Sequence, residues 1–172
     1  YMNDPGGSSD ASAFDCLETG TNATWSPSAR KPLYTKRAGV NFSMDIAALK
    51  ADGTLESNYV AAGGNTKHVR VELFNDSATP APACSAYSSP VASQTVSFTS
   101  GTYSGSAGRA LSGNFNVAAT YAKLRCRVRE CTDSSCGSFT AVAPACSSDQ
   151  FSVRPSAATL VTSATAAAPS TT

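Results

Sequence analysis

Three kinds of side chain in this sequence have types and spacings that could do chemistry: the cysteines, a stripe of arginines and a single histidine. The cysteines are Cys16, Cys84, Cys126, Cys131, Cys136 and Cys146. An even set of this size either ligates metal or closes as disulfides. The four between 126 and 146 lack the tight C-x2-C pairs of a zinc knuckle, and the only histidine, His68, is remote from them in sequence. No metal site is therefore expected, and disulfides formed in an oxidising compartment are.

Six cysteines can pair in many ways, and face parity narrows them. In "KLRCRVREC" Cys126 shares a face with Leu124 and Val128, so it should point into a core. Cys16 shares a face with Phe14 and is the only cysteine near the first strand, which makes it the expected partner of Cys126. Cys131 and Cys136 bracket the polar turn "TDSS" and suit a local staple. That leaves Cys84, in a proline-rich loop, for Cys146 at the start of the last strand.

The other face of "KLRCRVREC" carries Arg125, Arg127 and Arg129. Three guanidiniums in a row could grip an anionic glycan, a phosphate-rich surface or a partner's acidic edge. The plainer reading is an outer sheet face with cross-strand partners such as Glu72. A Ser-His-Asp triad would have to use His68. That residue has outward parity beside Val69, and no Gly-x-Ser-x-Gly elbow exists, so it reads as a solvated strand histidine. The acids are scattered: Asp15 and Glu18 are expected to straddle a turn, and "ADGTLESN" lacks the repeated acids of a calcium loop. No phosphate loop or dinucleotide fingerprint occurs. No catalytic or cofactor-binding residue is expected, and the chain reads as a non-enzyme.

The elements that must position these residues are short strands. "NFSMDIAAL" alternates Phe42, Met44, Ile46 and Ala48 against Asn41, Ser43 and Asp45. "KADG" is a turn, with Asp52-Gly53 a hairpin signal. "HVRVELF" places Val69, Val71 and Leu73 inward, and Arg70 and Glu72 outward. Val96 and Phe98, then Leu111, Phe115 and Val117, then Phe151 and Val153 supply further inward residues. Eight or nine short strands with turn residues between them, and no convincing helix, predict an all-β fold: an immunoglobulin-like antiparallel β-sandwich stapled by disulfides.

The Gly/Ser-rich residues 1–12 read as a tail or linker, 13–155 as the sandwich, and 156–172 as an Ala/Ser/Thr-rich linker or a strand docking on a neighbouring module. A net charge of +1 argues against a nucleic-acid binder. No apolar run is long enough to cross a membrane as a helix, so membrane insertion is not expected.

Four segments in order, "AFDCLETGT" (13–21), "LYTKRAGVNFSMDIAALKADGT" (33–54), "VRVELFNDS" (69–77) and "CSSDQFSVRP" (146–155), resemble the β-rich region of MshQ-like proteins. These are large exported proteins associated with the mannose-sensitive haemagglutinin type IV pilus of Gram-negative bacteria. The resemblance implies a cell-surface or pilus-associated location and an immunoglobulin-like module, and carries over no catalytic residue. It also implies that a further module commonly begins after the "RP", so the chain reads as one piece of a longer exported protein. "RECTDSSC" departs from the pattern as a local insertion with its own staple.

The leading expectation is a structural or adhesive module of an extracellular surface protein, with neighbouring domains or copies, pilus components or glycans as partners. Two alternatives stand beside it. One is a self-assembling filament subunit that adds a terminal segment (Tyr1 to Ser12 or Ser156 to Thr172) to another copy's sheet. The other is a carbohydrate-binding module using Trp25, Tyr34, Tyr59, Tyr87, Tyr103 and Tyr121.

Overall fold

A computed structural model describes residues 10–21, 25–60, 67–99 and 108–157. The expectation of a docked strand at Ala158, Leu160 and Val161, and most of the 1–12 tail, lie outside these residues. The end of that tail belongs to the fold: Ala11 is buried, Ser12 donates its N–H to Leu49 O at 2.8 Å, and Lys67 Nζ reaches Asp10 Oδ1 at 2.8 Å.

Nine strands run through the described residues: β1 (Ala13–Glu18), β2 (Lys36–Arg37), β3 (Met44–Leu49), β4 (His68–Asn75), β5 (Ala92–Ser97), β6 (Arg109–Leu111), β7 (Tyr121–Glu130), β8 (Ala145–Cys146) and β9 (Phe151–Arg154). The helical content is two single 3-10 turns, Pro27–Ala29 and Cys84–Ala86. One sheet has the order β1-β3-β6; the other runs β2-β9-β7-β4-β5, with β8 attached to β7. All pairings are antiparallel except β2 with β9, which is parallel. The architecture is an all-β sandwich.

The two inner faces supply the core. Phe14, Cys16, Met44, Ile46, Ala48 and Ala110 come from the first sheet; Val69, Val71, Leu73, Val96, Leu124, Cys126, Val128, Phe151 and Val153 come from the second. Tyr59 and Phe98 meet edge to face at 4.8 Å, and Phe14 meets Tyr59 in the same way at 5.4 Å. Such offset geometry suits the ring quadrupoles and adds to the burial of the ring areas. Period-2 alternation set most of these residues inward, as the sequence reading places them; Ala110, where Leu111 was expected, and Tyr59, expected on a surface platform, are the exceptions.

The outward parities need correction, because covering segments bury much of both outer faces. Glu72 is buried and Arg70 half-buried, where alternation predicted solvent. Asp45 is fully buried on the outer face of the first sheet, against Arg109, which is 1% exposed. Leu17, Ala47 and Leu49 form a second small cluster, with Trp25 and Leu55 packed against it. His68, predicted to be solvated, is 9% exposed. Leu111 turns outward and is 46% exposed. Ala110 registers opposite Ile46 and takes the inward position, so the residues either side of it face away. Asp15 and Glu18 lie on β1 and not on a turn.

Gly39 shapes one join. Its φ of +73° is cheap only for glycine, and the resulting turn lets its N–H reach Val117 O at 2.9 Å. The chain passes there from β2, the edge strand of one sheet, to β3 in the other.

Candidate functional site

The cysteines close as Cys16–Cys126, Cys84–Cys146 and Cys131–Cys136. This is the pairing that parity and spacing favoured. Cys16 on β1 and Cys126 on β7 tie one sheet to the other through the core. Cys84–Cys146 anchors the 3-10 turn of the proline-rich loop to β8, a separate two-residue strand before β9. Cys131–Cys136 closes the polar turn at the end of β7. All six sulfurs are in disulfides, so no thiolate remains to ligate metal.

The arginine stripe is engaged within the molecule. Register sets Arg127 opposite Glu72; its Nε and Nη2 lie 2.9 and 2.8 Å from Glu72 Oε2. Its Nη1 donates to the carbonyls of Tyr87 at 2.9 Å and Cys84 at 3.2 Å, so it pins the covering loop to the sheet. The guanidinium also stacks on Phe74, 4.4 Å from the ring centre. Arg125 Nε lies 3.0 Å from Asp76 Oδ2, out of line for a hydrogen bond. Asp76, itself buried, also accepts from the Tyr87 hydroxyl and from Gln150 Nε2. Burial and the hydrogen bond to Asp76 push the Tyr87 phenol up to about 12. Arg129 stacks at 3.4 Å over the ring of Phe139. The predicted partner Glu72 is the one Arg127 takes.

A second polar cluster joins the two ends of the sequence. Arg30 donates from Nε to Asp15 Oδ2 at 2.5 Å, and from Nη2 to Asp149 Oδ1 at 2.7 Å and Cys16 O at 2.9 Å. Asp149 Oδ2 accepts the Leu33 N–H at 2.6 Å. Burial pushes the Asp15 carboxyl up, and the Arg30 hydrogen bond pulls it back without cancelling the shift. Burial works against the Arg30 charge, but its bonds to Asp15 and Asp149 outweigh that and hold its pKa above the ordinary value. Glu18 accepts from Lys36 Nζ at 2.5 Å and from the Tyr34 N–H at 2.9 Å. Ser147 Oγ accepts the Cys126 N–H at 3.2 Å and donates to Asp149 O at 2.8 Å, so the "SSD" turn is a brace.

At His68 a serine hydroxyl meets an imidazole. Ser97 Oγ lies 2.7 Å from its Nδ1, while Nε2 is buried without a hydrogen-bond partner. A working base needs its second nitrogen held by an orienting group, usually a carboxylate. Among the described residues none hydrogen-bonds to Nε2. Of the aromatic residues expected as a platform, Tyr59 and Tyr87 are buried, Tyr121 is half-buried, Tyr34 is exposed and Tyr103 lies outside the described residues. Trp25 is half-buried and donates Nε1–H to Gly53 O at 3.1 Å. Tyr59 donates its hydroxyl to Glu130 Oε1 at 2.6 Å.

Sequence reading missed Arg30, Asp76, Asp149 and the Asp45–Arg109 pair as interacting groups. Asp149 is 119 residues from Arg30 and Arg109 is 64 from Asp45, so local spacing holds no signal for either.

The fold and these clusters define a class: a disulfide-bonded, all-β sandwich module built for an oxidising compartment. Within that class no family model and no curated protein matches the chain.

Proposed function

We propose that this chain is a non-catalytic structural or adhesive module of a bacterial cell-surface or type IV pilus-associated protein. The observation that carries the reading is the Cys16–Cys126 bridge between the two sheets, backed by disulfides at the loop of residues 75–91 and at the β7 turn. A module cross-linked in this way resists unfolding where no chaperone or reducing system works. The charged clusters support the same role. Arg30, Lys36, Arg127 and Arg109 each join segments distant in sequence, so their charges brace the fold. The four segments resembling MshQ-like proteins add the pilus association and the immunoglobulin-like character to the proposal.

Labelling intact cells of the source organism with an antibody to this module, before and after external protease, tests the placement. Surface signal that protease removes, together with weakened pilus-dependent attachment when the gene is deleted, is the expected result. Signal seen only in lysed cells would overturn the reading.

A further inference from the structure

The parallel pairing of β2 with β9 sets Arg37 directly beside Arg154. The register is secured on the backbone, where the Ala38 N–H donates to Arg154 O at 2.8 Å. Both side chains are exposed, and neither enters any of the ion pairs formed among the described residues. Like charges side by side on neighbouring strands repel and weaken the sheet. The opposite parity of the same strands is resolved: Lys36 turns inward to Glu18, and Val153 enters the core. Just behind the arginines on the outer face, Thr35 Oγ1 and Ser152 Oγ lie 3.0 Å apart, linking the strands through their hydroxyls.

We propose that Arg37 and Arg154, with Thr35 and Ser152, form a binding site for an acidic saccharide. The two guanidiniums hold the oxygens of a carboxylate or sulfate group, each offering parallel N–H donors that match such an anion. The paired hydroxyls, on the same parity as the arginines, offer a donor and acceptors that a sugar's ring hydroxyls can meet, and this favours a saccharide over an acidic peptide. A bound anion also removes the repulsion that the register imposes. The site deepens the surface-module reading and rests on it only for where the saccharide is met, since binding in solution and labelling at the cell surface can fail separately.

Calorimetric titration of the full chain at low salt tests the site. The probes are a galacturonate oligosaccharide, a sulfated heparin oligosaccharide, a neutral malto-oligosaccharide and a poly-glutamate peptide. At least one acidic saccharide should bind, the neutral one should not, and poly-glutamate should bind at least tenfold more weakly. Arg37→Gln and Arg154→Gln should each weaken binding about tenfold or more, the scale of one lost charge-assisted contact. The double variant should lose binding while its Tm stays level or rises, because the repulsion is gone. Absence of binding to both acidic saccharides, equal binding of the neutral sugar or of poly-glutamate, or undiminished binding by the double variant would each overturn the proposal.

Discussion

Gly108 sits where a side chain has no room. Its φ is +79°, and a Cβ there would lie 2.2 Å from Glu56 O. The glycine lets the chain pass the 56–57 backbone and accept the Ala48 N–H at 2.8 Å as it enters β6. Gly108→Ala should therefore destabilise by well over about 1 kcal/mol, since strain and a backbone clash act together. Gly113→Ala should cost much less, because it meets only the end of the Gln94 side chain. Urea unfolding of the two variants checks the contrast. Nearby, burial pushes the Asp45 carboxyl up to about 6, with Arg109 drawing it back part of the way. A carboxyl with a raised folded pKa stabilises most when protonated, and that contribution is lost as pH rises through about 6. Relative to Asp45→Asn, the wild type should gain of order 1 kcal/mol as pH falls from 7 to 5. Unfolding curves at the two pH values measure it, and a flat difference would contradict the shift.

At the scale of elements, one guanidinium joins the covering loop, already tethered by Cys84–Cys146, to the face of β4 and β7. Arg127 joins Glu72 to the carbonyls of Cys84 and Tyr87, so it holds strand, strand and loop together. Removing it leaves a buried carboxylate unpaired, a defect worth roughly 3–5 kcal/mol. Arg127→Ala should destabilise on that scale and raise amide hydrogen exchange across residues 84–91 first. Arg127→Met in combination with Glu72→Leu should recover much of the loss, because no buried charge then remains. Alternation named Leu124, Cys126 and Val128 as core and Glu72 as a partner of the arginine face, since both follow from period and strand pairing. It could not reveal that a loop would bury that face. The loop's position is set by Cys84–Cys146, a contact between residues 62 apart.

Across the whole molecule, the three disulfides differ in the length of chain they close. Separations of 110, 62 and 5 residues imply stabilisation of about 5, 4 and 2 kcal/mol from restricted unfolded-chain entropy. Replacing both cysteines of each pair by alanine should therefore rank the losses Cys16–Cys126, then Cys84–Cys146, then Cys131–Cys136. Thermal unfolding of the three double variants reads the order directly. The inter-sheet variant should lose more still, because Cys16 and Cys126 are wholly buried and their side-chain volume is core volume.

What the sequence by itself determined is what depends on near neighbours. Strand content, the inward set from Phe14 to Val153 apart from Leu111, and the cysteine faces follow from period-2 alternation and turn residues, which act over a few positions. The tertiary structure decided everything that depends on which strands become neighbours. It buried Arg127 and engaged Arg125 with Asp76 and Arg129 with Phe139, so the stripe that stood out as a possible anion grip is taken up by segments its own strand does not encode. It placed Arg37 beside Arg154 through a parallel pairing that no local pattern signals. A charge is free or engaged according to what covers it, and coverage belongs to the fold and not to the strand.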